Sequence, residues 1–322
     1  MRVLVITNQL PTPERPATTT SIARQIDSLR ATGVQVDICE IRGVMILKYF
    51  ISLPEIWRRV RYVDLLHAHY GYCGWVARLQ FSRPVVVTFM GSDVLGSRME
   101  NGRMNFCSYI EIFLNKVLAR LVDAVIVMTT QMAQRLEPVH SHVISYGIDT
   151  ERFRPMDKRL CREQLGWHQD HRYLLFPANP NDPNKNFSMA WKVFEQLKER
   201  INEPMELVAL KGVAADQVPL YMNACDLMFM VSHSEGSPNV VKEAMACNLP
   251  VVGVAVGDTA ELLSGVSGYR VVERDVNALT DAAYQLLMSP EDVEGREALL
   301  QKGLDLAQVA SKLIEVYREV LQ

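Results

Sequence analysis

Short apolar runs alternate with amphipathic stretches along the whole chain, and this period change from continuous to 3.6-fold predicts strands alternating with helices. In the first half, runs at 2–7, 34–40, 63–67, 84–89, 123–128 and 142–145 have the length and flanks of buried strands. Helical patterns fall between them near 20–32, 54–62, 72–81, 106–121 and 130–136. Thr20 or Ser21 is placed to cap the first helix, and Gly33 to stop it after Ala31 and Thr32. A polar stretch with a proline, 146–157, interrupts the alternation and marks the best domain boundary.

A second series follows, with strands near 172–177, 206–210, 226–231, 250–255 and 269–272. Its helices are predicted near 187–200, 217–224, 238–246, 258–264, 275–288 and 292–303, then a terminal helix at about 306–321. Runs apolar throughout, such as Leu227-Met228-Phe229-Met230-Val231, suit parallel strands covered on both faces. The pattern predicts an α/β protein with two doubly wound, Rossmann-like domains facing across a cleft, 1–150 and 151–322.

One segment carries chemistry beyond packing: Glu235-Gly236-Ser237-Pro238-Asn239-Val240-Val241-Lys242-Glu243 lies between two such runs, at a strand-to-helix junction. Pro238 suits the first helical position, and Gly236 lets a ligand approach the backbone. The amides of Ser237, Asn239 and Val240 then face outward with the positive end of the helix dipole behind them, a site for phosphate. Taken alone, a pair of glutamates on such a helix fits a capped, solvated turn better. The flanking strands favour the ligand site, because open α/β sheets bind ligands at the carboxyl ends of their strands.

Composition narrows the class. The 322 residues are 48% hydrophobic and 22% charged, a folded, water-soluble balance with room for two cores. No apolar run approaches the ~20 residues of a membrane span, and the opening Met1–Thr7 is too brief for a signal-peptide core. Six scattered cysteines without a Cys-x-x-Cys predict reduced thiols in a cytoplasmic protein. Nothing signals a metal, and no basic stripe with interleaved aromatics signals nucleic acid.

Charge is uneven. Residues 1–150 hold 16 Lys+Arg against 12 Asp+Glu, while the remainder is acidic. Within the basic half, Arg42, Lys48, Arg58, Arg59 and Arg61 surround Val44-Met45-Ile46-Leu47 and Tyr49-Phe50-Ile51. The segment 42–61 fits an ordinary helix with its apolar side in the core, and also an amphipathic surface for the inner face of the cell membrane. His67 and His69, two apart at a strand end, share one face, as structural histidines or as acceptor contacts.

Taken in order, His67-Ala68-His69-Tyr70, Thr88-Phe89-Met90-Gly91-Ser92-Asp93, Tyr146 to Phe153, Lys185-Asn186-Phe187 and Glu235 to Glu243 with Ala244 to Val252 resemble the retaining nucleotide-sugar glycosyltransferases of family four, which have the GT-B fold. Compact bacterial members of polysaccharide and teichuronic-acid-type pathways are the nearest in kind. The resemblance implies a metal-independent, hexosyltransferase-type enzyme without cofactor, using a UDP- or GDP-type sugar donor and a glycan or lipid-linked acceptor in cell-envelope polysaccharide synthesis. It implies an acceptor side at 1–150, a donor side at 151–322, and a terminal helix that packs back toward the N-terminal domain.

By position, Glu243 matches the carboxylate on the donor ribose, Glu235 the one beside the anomeric centre, and Lys185 the cation on the departing diphosphate. Gly236, Ser237, Pro238, Asn239 and Val240 match the sugar- and diphosphate-holding turn. Gly91, Ser92 and Asp93 line the site from the N-terminal side, Asp93 as a catalytic candidate beside Glu235 and Lys185 that fits a turn cap as well as a substrate contact, and Asn179 joins the donor-binding residues. Eight residues of helix span ~12 Å, against ~5–9.5 Å between the carboxylates of a glycoside hydrolase, so separate tasks for the two glutamates follow.

Departures from the family pattern are specific. Met90 stands where a histidine is usual, and Asn179 where an arginine is common. Pro13 to Thr20 replaces a glycine-rich turn, and Leu210-Lys211-Gly212-Val213 runs straight into Val218-Pro219. These losses also suit a non-catalytic nucleotide-binding protein of the same fold, and a nucleotide-sugar epimerase is the nearer enzymatic rival.

Overall fold

The computed structural model describes residues 1–8, 10, 20–43, 47–96, 105–289 and 291–322, with the Thr20 side chain left aside. The Pro13–Thr19 departure and the Val44-Met45-Ile46 run lie outside the described residues. Backbone contacts divide the chain into two units, Met1–Gly147 with Leu306–Gln322, and Ile148–Asp305.

The first unit runs β1 (Arg2–Thr7), α1 (Thr20–Ala31), β2 (Gln35–Glu40), α2 (Leu47–Arg59), β3 (Leu65–His69), α3 (Gly71–Arg78), β4 (Val85–Phe89), α4 (Ser92–Leu95), α5 (Phe106–Ala119), β5 (Ala124–Val127), α6 (Thr130–Leu136) and β6 (His142–Val143). Its strands form one parallel sheet in the order β2-β1-β3-β4-β5-β6. Direction reverses between β1 and β3, so the strand-end crevice of this sheet opens beside His69. Val3 to Ile6 and Val85 to Val87 have no exposure at all. Burying one such side chain is worth about 1.5–3 kcal/mol.

The second unit runs α7 (Lys158–Leu165), β7 (Arg172–Phe176), α8 (Phe187–Arg200), β8 (Met205–Ala209), α9 (Val218–Ala224), β9 (Leu227–Met230), α10 (Asn239–Ala246), β10 (Val251–Val254), α11 (Thr259–Leu263), β11 (Tyr269–Val272), α12 (Val276–Met288) and α13 (Gly295–Gln301). Its parallel sheet has the order β11-β10-β9-β7-β8. Here the reversal falls between β7 and β9, which fixes where a ligand crevice belongs. Ile148 ties the entry of the chain to its exit, donating to the Leu304 carbonyl at 2.8 Å and bridging to Asp305. Arg296 closes the same corner, donating to the carbonyls of Thr150 and Phe153 at 2.9 Å.

A final helix, α14 (Leu306–Leu321), belongs to the first unit, where Val309, Ala310, Leu313, Val316 and Tyr317 join its core. The sequence boundary of 1–150 and 151–322 therefore moves to 147/148 and acquires a second crossing at 305/306. Tyr317 also places its hydroxyl 2.6 Å from His67 Nδ1, while Thr88 Oγ1 sits 2.7 Å from His67 Nε2.

Three elements differ from the sequence pattern for local reasons. Helix α2 begins at Leu47 and runs through Pro54, held by the buried Tyr49 and Ile56 two turns apart. Helix α7 is a polar helix just after the 146–157 boundary stretch, where the sequence pattern placed no element; Asp157 caps it by accepting from Leu160 N at 2.9 Å, and Gly166 ends it in the left-handed region at φ 68°. Helix α10 starts at Asn239, because Pro238 has ψ 108°, outside helical values.

Candidate functional site

The loop after β7 folds back on itself in small steps. Asn179 Oδ1 accepts from Asn181 N at 3.0 Å, and Asp182 Oδ1 accepts from Asn184 N at 3.0 Å. A single 3₁₀ turn, Pro183–Lys185, follows, and Asn186 in the left-handed region at φ 56° launches α8. Lys185 is thereby fixed at the strand-end edge of the sheet, on the β7 side of the reversal.

The loop after β9 is stitched to that turn. Asn184 Nδ2 donates to the Ser234 carbonyl at 2.8 Å, Ser234 N donates to Asn184 Oδ1 at 3.2 Å, and His233 N donates to the Asn184 carbonyl at 2.8 Å. Arg274 holds the loop from the other side, its two terminal nitrogens donating to the Val231 and Ser232 carbonyls at 2.8 Å each. The result brings Lys185 Nζ within 2.6 Å of Glu235 Oε1. The ammonium is 30% exposed and the carboxylate 17%, so the pair is reachable from solvent but shielded by its loops.

Beyond Glu235 the chain enters α10 through a tight passage. An added Cβ on Gly257, which has φ +56°, would lie 2.1 Å from the Gly236 carbonyl oxygen. Ser237 Oγ donates to Asp258 Oδ2 at 2.7 Å, so it braces the next loop and does not cap α10. Within α10, Val240 is among the first-turn residues whose amides have no carbonyl earlier in the helix to meet, which leaves the positive end of the helix dipole beside Gly236. Glu243 is buried on the same helix, and Lys242 beside it has no exposure. Burial lowers the Lys242 ammonium to about 8, against the pull of Asp258 and Glu243; burial raises the Asp258 carboxyl, against the Ser237 hydrogen bond and Lys242.

In the first unit, β4 ends at Phe89 and the chain turns at Gly91, which takes φ 140°. Asp93 is fully buried, and its oxygens accept from Met90 N at 3.0 Å and Gly91 N at 2.9 Å. Asn115 Nδ2 donates to the Asp93 carbonyl at 2.9 Å. Burial pushes the Asp93 carboxyl up to about 6, opposed by those amides. His69 is buried with Nδ1 3.1 Å from Tyr146 Oη, and burial lowers it to about 3, so its ring is neutral at any physiological pH.

Residues 2–152 match the family model described as Glycosyltransferase Family 4, and residues 172–289 match the model described as Glycosyl transferases group 1. The chain belongs to the GT-B glycosyltransferase superfamily. A D-inositol 3-phosphate glycosyltransferase of Catenulispora acidiphila is 28% identical over 71% of this chain and 64% of its own length. The one from Mycobacterium marinum is 26% identical over 72% of this chain and 57% of its own length. The chain thus spans about three fifths of these curated relatives. Among solved structures, sucrose-phosphate synthase of Thermosynechococcus elongatus aligns with a TM-score of 0.78 at 18% identity, covering 99% of both chains. HepE (Alr3699) of Anabaena in complex with UDP aligns with a TM-score of 0.74 at 16% identity, over 99% of this chain and 100% of that one.

Within this GT-B chain the sequence-predicted residues separate into distinct groups. Lys185 and Glu235 are brought into contact, and Gly236, Ser237, Pro238, Asn239, Val240 and Glu243 continue directly from them into α10. Asn179 is exposed and spends its side-chain oxygen on its own turn, apart from that pair. Pro238 stands one residue before the helix and not in its first turn. Asp93 organises the backbone of Met90 and Gly91, with Ser92 opening the short α4. Asn184, Arg274, Gly257, Asp258 and Lys242 hold or adjoin the loops around this pair and were not singled out by the sequence. Asp182-Pro183, a capping residue before proline, was the legible sign of the Asn184 turn.

Proposed function

We propose that this protein is a retaining, hexosyltransferase-type enzyme that moves a sugar from a UDP- or GDP-type nucleoside-diphosphate donor to a hydroxyl of a glycan or lipid-linked acceptor, without a metal or other cofactor. The observation that carries this reading is the Lys185–Glu235 pair at the strand-order reversal, one turn of chain before the amino end of α10. Glycosyl transfer moves negative charge onto the departing diphosphate and positive charge onto the anomeric carbon. A site for it needs a fixed cation and amide donors on one side and a carboxylate on the other. Lys185 with the Gly236–Val240 backbone supplies the first; Glu235 supplies the second.

In the structure the two charges satisfy each other. A bound diphosphate competes for the Lys185 ammonium, which frees Glu235 to face the sugar. Glu243, buried one helix turn further on, takes the ribose hydroxyls. The bond from the anomeric carbon to the diphosphate oxygen breaks, the acceptor oxygen attacks the same face, and its proton passes to the departing diphosphate oxygen. Asp93 positions the Met90–Gly91 turn that lines the acceptor side, and is not itself the reacting carboxylate.

The relatives named above act on D-inositol 3-phosphate by name, and HepE carries UDP; both agree with a nucleotide-sugar donor and a hydroxyl acceptor. We place the activity in cell-envelope polysaccharide synthesis in the cytoplasm, with contact to the inner face of the membrane through 42–61. Incubating the protein with single nucleoside-diphosphate sugars, with and without acceptor, tests this directly. Nucleoside diphosphate released only from wild type and not from Glu235→Gln is the expected result. Conversion of the donor's sugar without release identifies an epimerase, and binding without either identifies a non-catalytic protein.

A further inference from the structure

The first unit carries a large apolar surface that its own fold does not use. Strand order proceeds in one direction from β2 past β1 to β3, β4 and β5, so right-handed crossovers put α2, α3 and α5 on one face of the sheet, in that sequence. Packing agrees, since α3 touches α2 on one side and α5 on the other. On α5 the buried side is Ser108, Asn115, Leu118 and Ala119. Its outer side presents Phe106 (75% exposed), Tyr109 (58%), Ile110 (52%), Phe113 (65%) and Leu114 (41%), the spacing of one continuous helical stripe. The outer side of α2 repeats the arrangement with Leu47, Phe50, Ile51 and Trp57, all more than half exposed.

Isolated exposed apolar residues are ordinary; two flanking stripes of large ones on one helix layer are not. Charge decides what they meet. The three helices hold five Lys or Arg, at 48, 58, 59, 78 and 116, against Glu55 and Glu111. Both acids are engaged internally, Glu55 by Arg59 and Glu111 by the Tyr70 hydroxyl at 2.6 Å. Arg58 and Arg61 stay exposed at the carboxyl end of α2, and Arg120 at that of α5. An aromatic and aliphatic layer with a cationic margin and no free acid among the described residues of its three helices is complementary to an anionic bilayer surface.

We infer that the α2–α3–α5 face docks flat on a membrane containing anionic lipid, with the α5 stripe and the outer side of α2 entering the headgroup boundary together. The inference rests on the lipid-linked acceptor of the proposed function and gives it a place. The amino ends of α2, α3 and α5 lie at the carboxyl edge of the sheet, where β3 and β4 end at His69 and Phe89. The most apolar parts of the face, Leu47 to Ile51 and Phe106 to Phe113, are at those ends.

The test is co-sedimentation of the full chain with vesicles of phosphatidylcholine alone and with phosphatidylglycerol added. Binding to the anionic vesicles should be stronger by on the order of tenfold or more, and should weaken as salt rises. Phe106→Ser with Phe113→Ser, and separately Phe50→Ser with Ile51→Ser, should lose vesicle binding while melting temperature and sugar transfer to a water-soluble acceptor, read as nucleoside diphosphate released, stay at wild-type levels. Arg58→Glu with Arg61→Glu should abolish the preference for anionic lipid. Absence of vesicle binding overturns the inference, as does binding that survives both apolar pairs. So does a concentration-dependent dimer in light scattering that the same substitutions dissolve, which would assign the face to a second copy. Vesicle binding without any sugar transfer would instead defeat the proposed activity and leave the docking face standing.

Discussion

Lys185 Nζ and Glu235 Oε1 stand 2.6 Å apart although 50 residues separate them, joined by the turn of Asn184 clasping the Ser234 backbone. Under the proposed function, two residues with opposite tasks are thus held ready by each other. Glu235→Gln should lower kcat by about 10²-fold or more and leave melting unchanged, because a partly exposed pair contributes only about 1 kcal/mol or less to stability. Lys185→Ala should raise the calorimetric Kd for the nucleoside diphosphate. Equal Kd in wild type and variant would remove the lysine from the site.

Asn184→Ala tests the clasp without touching either charge. Losing two side-chain hydrogen bonds to a half-buried backbone should cost about 1–3 kcal/mol in urea unfolding. Because Glu235 then loses its fixed position, donor KM should rise. A stability loss with unchanged KM would limit Asn184 to a structural part.

Gly257 packs tightly against the loop that leads into α10. Gly257→Ala sets a methyl 2.1 Å from the Gly236 oxygen at a positive φ, so the loop before α10 must move. We expect a loss of about 1–3 kcal/mol and a weaker diphosphate complex, read by thermal shift with and without nucleotide. Gly265→Ala, also at positive φ but with nothing near its Cβ, is the control that keeps nucleotide affinity.

Acid should destabilise the first unit through its histidines. His67 and His69 have folded pKa values lowered by burial, His69 to about 3, against an ordinary value near 6.5. The unfolded chain therefore binds more protons below about pH 6.5, and the stability present above that pH is lost as pH falls toward 3. Asp93, raised to about 6, acts oppositely: its contribution is full below its unfolded value of 3.8 and fades as pH rises through about 6. Near pH 5 His69 alone supplies a slope of about one proton, or about 1.4 kcal/mol per pH unit, with His67 acting in the same direction and Asp93 against it. His69→Gln should flatten that slope by about one proton in denaturation series between pH 6 and 4.5.

Sheet strands were legible because parallel strands buried on both faces need unbroken apolar runs, as in Leu227 to Val231. The charged residues flanking α10 were legible because strand, glycine loop and helix recur in a fixed local order. What could not be read was pairing across distance: Asn184 with Ser234, Arg274 with the Val231 and Ser232 carbonyls, Gly257 with Gly236. None of these leaves a periodic trace. Helix α7 did leave one in Asp157 and Gly166, but only Cys161 and Arg162 are buried on it, so no apolar stripe announced it. Pro54 misplaced the start of α2 for the opposite reason, a strong local breaker overruled by Tyr49 and Ile56 in the core.

The return of α14 to the first core has a practical side. Residues 148–305 form one uninterrupted stretch and can be cut out as a gene fragment that keeps the Lys185–Glu235 pair and the Asn184–Ser234 clasp. A fragment ending at Gly147 would instead lack Leu313, Val316 and Tyr317 and leave His67 Nδ1 buried without its hydroxyl. A chain that keeps 306–322, spliced behind Gly147 or permuted ahead of Met1, should yield that half in soluble form.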